Sequence, residues 1–255
     1  MTDSVLADLS GLQAAVIAIV IFAAGILRGF SGFGSSLLMV PVLAVVIGPT
    51  SAVVICTLLE GLATLMLIPS CVAHADRRRL ATMGIAGAVA IPLGHLALLK
   101  LDPSISNLAI SAAVVLMSGL VWRGINFGIP RGTPGETGTG LVSGFLTGFG
   151  SIGGPPLVLY VLAGAGSAAQ KRADLILVAG FTQAVAIVSM IGFGLLTFTG
   201  AGGAALVAPV FFGGGVLGAR LFKRASEQAY QRVALGALFL AAVLLTCLNL
   251  VKLLR

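Results

Sequence analysis

Two stretches of the chain combine residue types that bind small anions. One is "RGFSGFGSS", residues 28–36, and the other is "TGFGSIGGPP", residues 147–156. Each interrupts an apolar run with glycines and small hydroxyl residues. An unpartnered backbone N–H or C=O is costly in hydrocarbon, so such breaks survive only when buried in protein or lining a wet cavity. New helices are expected to start at Ser35–Ser36–Leu37 and at Gly154–Pro155–Pro156. Proline suits a first helical turn, because its missing N–H has no intrahelical partner there. The first four N–H groups of a helix are free, and the helix dipole adds partial positive charge. Two converging starts make a site for a small anion built mainly from backbone. Ser31, Ser35, Ser36, Thr147 and Ser151 add hydroxyls. Gly32, Gly34, Gly150, Gly153 and Gly154 let an anion approach closely, with Phe33 and Ile152 inside the two breaks.

Three further polar residues stand in apolar surroundings. Arg28 is the one Lys or Arg outside the sets that flank loops. Arginine in a span is costly and usually faces a cavity or a partner. It reads either as a fixed counter-charge for the anion, or as a snorkelling side chain or structural partner of Glu60. Glu60, in "CTLLEGLATL", is the one acid well inside a span. It reads as a protonatable coupling group or as that partner of Arg28. Gln183, beside Thr182 in "AGFTQAVAIV", occupies a comparable place in the second half. It reads as a ligand or as an interhelical hydrogen bond.

Other candidates read as structural. His74 and His95 have no metal partner at helical spacing, and Cys56, Cys71 and Cys247 show no metal-type spacing. No nucleophile–base pair, "HExxH" or phosphate loop is present. The expectation is a non-enzyme without cofactor or metal.

The elements that must hold these residues follow from composition. The chain has 255 residues, 58% hydrophobic and 9% charged, against about 25% charged in a soluble domain. Apolar runs of about 20 residues recur from end to end, which means a polytopic all-α membrane protein. Segments are expected at 12–29, 35–48, 51–72, 81–99, 105–122, 138–149, 154–166, 174–198, 202–221 and 232–251. Those at 35–48 and 138–149 are short for a crossing. The N-terminus lacks a basic region of the signal-peptide kind, so the first span is expected to be retained. Trp122, Tyr160 and Tyr230 suit interfacial anchors. Gly84, Gly87 and Gly94, and Gly213, Gly214, Gly215 and Gly218, suit helix packing.

The chain also repeats itself. Residues 25–44 and 144–163 align without gaps at nine identical positions of twenty, including Gly25/Gly144, Gly29/Gly148, Phe30/Phe149 and Gly34/Gly153. A weaker echo pairs "PLGHLALLK" at 92–100 with "VLGARLFKR" at 216–224. Two repeats are expected, 1–122 and 138–255, joined by a cytoplasmic linker at 123–137. Paired interrupted helices in two halves point to a secondary-transporter site.

Charge orients the halves. If each glycine-broken unit is a V that enters and leaves on one side, each half has five segments and the halves are inverted. Eleven Lys and Arg then lie inside and three outside, with Arg28 apart; if each unit crosses once, the split is seven to seven. The positive-inside rule favours inversion, with both termini outside the inner (cytoplasmic) membrane. The same rule reads the net charge of +7 as topology signalling rather than nucleic-acid binding.

At the two breaks the sequence resembles the TauE/SafE family of membrane anion exporters, also called the sulfite exporter family. That family carries a glycine-rich element ending in proline early in each half. The matching residues are Gly29–Phe30–Ser31–Gly32–Phe33–Gly34–Ser35–Ser36, running to Pro41, and Gly148–Phe149–Gly150–Ser151–Ile152–Gly153–Gly154–Pro155–Pro156. Serines stand at 35 and 36 where the pattern has glycine, and Arg28 precedes the first element. The resemblance implies transport of sulfite or a related organosulfur anion. The partners expected are that small anion, the bilayer and, as candidate coupling ion, the proton. Alternatives are an anion channel of the same architecture, a carrier of a small carboxylate, and a non-transporting membrane scaffold.

Overall fold

The computed structural model describes residues 10–31, 34–68, 71–73, 75–123 and 130–222. The regular elements among them are all helices. They are α1 (Gly11–Ser31), α2 (Ser35–Ile47), α3 (Pro49–Leu67), α4 (Arg77–Lys100), α5 (Pro103–Arg123), α6 (Thr133–Gly150), α7 (Gly154–Leu162), α8 (Ala168–Gly192) and α9 (Phe198–Phe222). Six of them, α1, α3, α4, α5, α8 and α9, are long and apolar enough to cross a membrane. The chain is an all-α, multi-pass membrane protein. Helices α2 and α7 have 13 and nine residues. At about 1.5 Å per residue, neither spans a hydrocarbon core of about 30 Å. The expected segment at 232–251 lies outside the described residues.

Helices α4, α6 and α8 begin earlier than hydropathy suggests, each through a polar first turn or cap. Asp76 caps α4 by accepting the N–H groups of Arg78 and Arg79 at 3.0 and 3.2 Å, so Arg77–Arg79 form a first turn and not a loop. Ser167 caps α8 in the same way, accepting from the Gln170 N–H at 3.2 Å. Helix α6 starts at Thr133, after Gly132 at φ +85°, with Pro134 and Glu136 in its first turn. The last five residues of the expected 123–137 linker are therefore helical. Polar first turns satisfy free N–H groups, and a hydropathy reading assigns them to loops.

Two helix pairs pack through glycine. A Cβ on Gly25 or Gly29 of α1 would run into the carbonyl of Phe211 or Gly215 on α9. A Cβ on Gly144 or Gly148 of α6 would run into that of Gly87 or Ile91 on α4. The contacts are reciprocal: Gly218 abuts Ile26 and Phe30, and Gly94 abuts Phe145 and Phe149. Ile26 and Phe30 align with Phe145 and Phe149 in the repeat, so the two interfaces match position for position. Both pairs run parallel, since residue numbers rise together along each interface. Small residues let backbones approach this closely. Gly84 and Gly214 also pack, against Phe181 and Phe22, whereas Gly213 meets nothing within 4 Å; the packing role expected for Gly213 is not found, because it faces away from α1.

Helix α8 runs antiparallel to α3 and parallel to α4. Against α3, Gly180 meets Thr64, Gln183 meets Glu60 and Ile187 meets Gly61. Against α4, Asp174 meets Arg79, Phe181 meets Gly84 and Ser189 meets His95. Much of the apolar core lies around α2 and α3, where Leu37, Met39, Leu43, Ile55 and Leu59 are fully buried.

Candidate functional site

The first break is built from the end of α1 and the start of α2. Arg28 stands in the last turn of α1, which Ser31 closes. Positive charge at a helix C-terminus is favourable. Gly32 and Phe33 lie outside the described residues. Gly34 takes φ +86°, a left-handed backbone that glycine adopts without strain, and it turns the chain into α2. Ser35 and Ser36, the first two residues of α2, are buried.

The neighbouring face of α3 carries Thr57, Glu60 and Thr64. Their spacing of three and four residues puts them on one side of the helix. Glu60 is 7% exposed, and its carboxylate receives three donors. Ser35 Oγ donates to Oε1 at 2.6 Å and the Ser36 N–H donates to the same oxygen at 2.9 Å. Gln183 Nε2 donates to Oε2 at 3.2 Å. The carboxylate therefore sits on the N-terminus of α2, where free N–H groups favour an anion. One turn on, Thr64 Oγ1 donates to the Glu60 backbone carbonyl at 2.8 Å and accepts from Arg28 Nη2.

Arg28 and Glu60 make no direct ion pair; they are joined through Thr64. The Arg28 side chain is inside, the residue being 7% exposed, and does not snorkel. Its Nε and the Gln183 Oε1 are buried with no hydrogen-bond partner. Gln183 makes an interhelical hydrogen bond, and that bond ends on Glu60.

The second break is tighter. Helix α6 ends at Gly150, and Ser151 takes φ +54°. The Ile152 N–H reaches back across the left-handed Ser151 to the Leu146 carbonyl at 3.2 Å. Ser143 Oγ donates to the Gly153 carbonyl at 2.7 Å, and Thr147 Oγ1 donates to the Ser143 carbonyl at 2.8 Å. Thr57 Oγ1 donates to Ser151 Oγ at 3.1 Å, which ties this break to α3. Ile152 and Pro155 are buried, whereas a Cβ on Gly154 would meet nothing within 4 Å.

The polar face of α3 thus touches the second break through Thr57, the first break and Gln183 through Glu60, and Arg28 through Thr64. Sequence reasoning singled out Glu60 and Gln183 but passed over Thr57 and Thr64. The signal that finds them is their spacing from Glu60.

A second polar cluster also escaped the sequence reading. Arg79 on α4 bonds Asp174 on α8 at 2.5 Å and approaches Glu136 on α6 at 3.8 Å. Asp174 also accepts the Asp76 N–H at 2.8 Å. Arg131 donates to the Tyr160 carbonyl at 2.9 Å and lies 5.0 Å from the ring centroid. His95 is fully buried, with Nδ1 2.8 Å from Ser189 Oγ. Cys56 and Cys71 are buried. No group of three metal-ligating side chains occurs among the described residues.

No curated protein and no solved structure matches the chain. The family described as "Sulfite exporter TauE/SafE" matches residues 17–245, which takes in both breaks, the polar face of α3 and Gln183. The chain belongs to the sulfite exporter TauE/SafE family of membrane transporters.

Proposed function

We propose that the chain is a secondary transporter of a small anion, sulfite or a related organosulfur anion, that binds near the midplane between the two breaks. The observation that carries this reading is the convergence of both breaks on α3. Thr57, Glu60 and Thr64 gather Ser151, Ser35, Ser36, Gln183 and Arg28 onto one buried polar face. A buried polar face that collects two broken helices is what a binding site at membrane depth requires. Arg28 supplies the fixed positive charge. The glycines of both breaks allow close approach, and the hydroxyls near them orient the ligand.

The two halves are inverted repeats, each opening with its glycine-broken pair, α1–α2 and α6–α7. The antiparallel run of α3 against α8 supports this, because these helices hold equivalent places in the two halves. The matched glycine interfaces of α1 with α9 and of α6 with α4 support the repeat itself. Inversion about an axis in the membrane plane lets a central site open alternately to either side. Both chain termini then face outside the cytoplasmic membrane.

The test is sulfite flux in proteoliposomes, with and without an imposed pH gradient. Saturable flux that shows counterflow is expected. Large single-channel currents would replace the carrier with a channel. Flux of a small carboxylate and none of sulfite would change the substrate.

A further inference from the structure

The two helix starts at the breaks are not equal as anion seats. In α7, two of the first four residues, Pro155 and Pro156, have no N–H to offer. The hydroxyls of Ser143 and Thr147 beside it are spent on backbone carbonyls. Helix α2 starts with Ser35, Ser36, Leu37 and Leu38, all of which carry an N–H. The donor-rich seat is therefore that of α2, and a carboxylate of the protein already occupies it.

We propose that Glu60 is a tethered internal anion at the start of α2, and that a transported anion takes this seat only as Glu60 accepts a proton. The inference rests on the transport reading above and deepens it. Two buried atoms without partners, Arg28 Nε and Gln183 Oε1, belong to the residues around this seat.

The chemistry closes on both sides of the exchange. An ionised carboxylate only accepts hydrogen bonds, and Glu60 has three donors. A protonated carboxyl also donates. The Gln183 amide, turned over, offers its unpartnered Oε1 to that proton. The protein donors released are the Ser36 N–H and the Ser35 hydroxyl, both suited to an incoming anion. Charge balances as well. Arg28 and ionised Glu60 cancel, and the proton leaves the Arg28 charge in place for one negative charge. The proton comes from whichever aqueous side the site faces, forms an O–H bond on Glu60, and returns to water when the anion leaves.

The other titratable or charged groups near this cluster are few. Cys56 lies on α3 itself, α4 brings His95, directed at Ser189, and α6 brings Glu136, directed at Arg79. Helix α9 carries Arg220 in its last turn. Helices α2, α5 up to Val121, and α8 beyond Asp174 bring none.

The experiment compares sulfite binding by the full-length wild type and Glu60→Gln across acidic to alkaline pH. Glutamine keeps an acceptor for the Ser36 N–H and carries no charge. Sulfite's own ionisation is common to both proteins and cancels in the ratio of affinities. The expected ratio, variant over wild type, rises about tenfold per pH unit once Glu60 ionises. A ratio independent of pH, with both proteins binding, overturns this inference and leaves the transport reading standing. No binding by either protein overturns both. Infrared difference spectra of the wild type test the same point without a variant. Adding sulfite should produce a protonated-carboxyl band at the expense of a carboxylate band, and an unchanged spectrum overturns the inference.

Discussion

Thr64 is a small residue with two tasks. It holds the Arg28 guanidinium through its oxygen and returns its own proton to the Glu60 carbonyl. Replacing it with valine leaves a buried cation short of a partner. Hydrogen bonds to charged groups contribute about 1.5–3 kcal/mol, against about 0.5–1.5 for neutral ones. Thr64→Val should therefore lower stability in detergent more than Thr57→Val, which breaks the neutral contact with Ser151; thermal unfolding of the two variants checks the order. Arg28→Ala should reduce sulfite flux about tenfold or more, and intact flux would remove Arg28 from the binding role. Arg28, Glu60 and Gln183 were legible in the sequence because polar residues inside apolar runs are conspicuous. Thr57 and Thr64 were not, since threonine is common in spans and only the location of Glu60 gives them meaning. The partners of Thr147 were also hidden, because a hydroxyl in a helix can turn back to the carbonyl four residues earlier.

Among the elements, the glycine-packed pairs are the most sensitive. At Gly29, Gly94, Gly144 and Gly148 an added side chain meets backbone, which cannot rotate away. Gly94→Val and Gly144→Val should each destabilise by about 1–3 kcal/mol or more, whereas Gly138→Ala and Gly213→Ala, which meet nothing, should be near neutral; melting curves of the four variants decide. At the other polar cluster, Asp174 is fully buried and bonded to Arg79. Asp174→Asn should cost about 1.5–3 kcal/mol, because it removes the close charged partner of Arg79 and leaves only Glu136 at 3.8 Å, and loss of the folded fraction in detergent measures it. Glycine and proline wrote the breaks and the short helices into the sequence plainly. Helix starts at Arg77, Thr133 and Ala168 were obscured, since charged first turns read as loop until their caps, Asp76 and Ser167 among them, are seen.

For the molecule as a whole, topology is the property to test. Inverted halves put Arg131 and Lys171 on the same side of the membrane and Asp102 on the other. Single cysteines at these positions, on a background without other cysteines, should react accordingly with an impermeant thiol reagent. Positions 131 and 171 should be protected in intact cells and position 102 labelled. Labelling of 171 from outside would mean parallel halves. The repeat was legible because its glycines are shared in order. Which helices those glycines join was not, as no local pattern reveals that α1 lies on α9 and α6 on α4. That exchange has a consequence for how the molecule assembles. Each half lends its first helix to the other half's fourth, as in a clasped handshake, so a half made alone would turn a bare glycine groove to lipid. Two fragments produced by opening the chain between Arg123 and Pro130 should be unstable apart, yet should reassemble into a working carrier when made together.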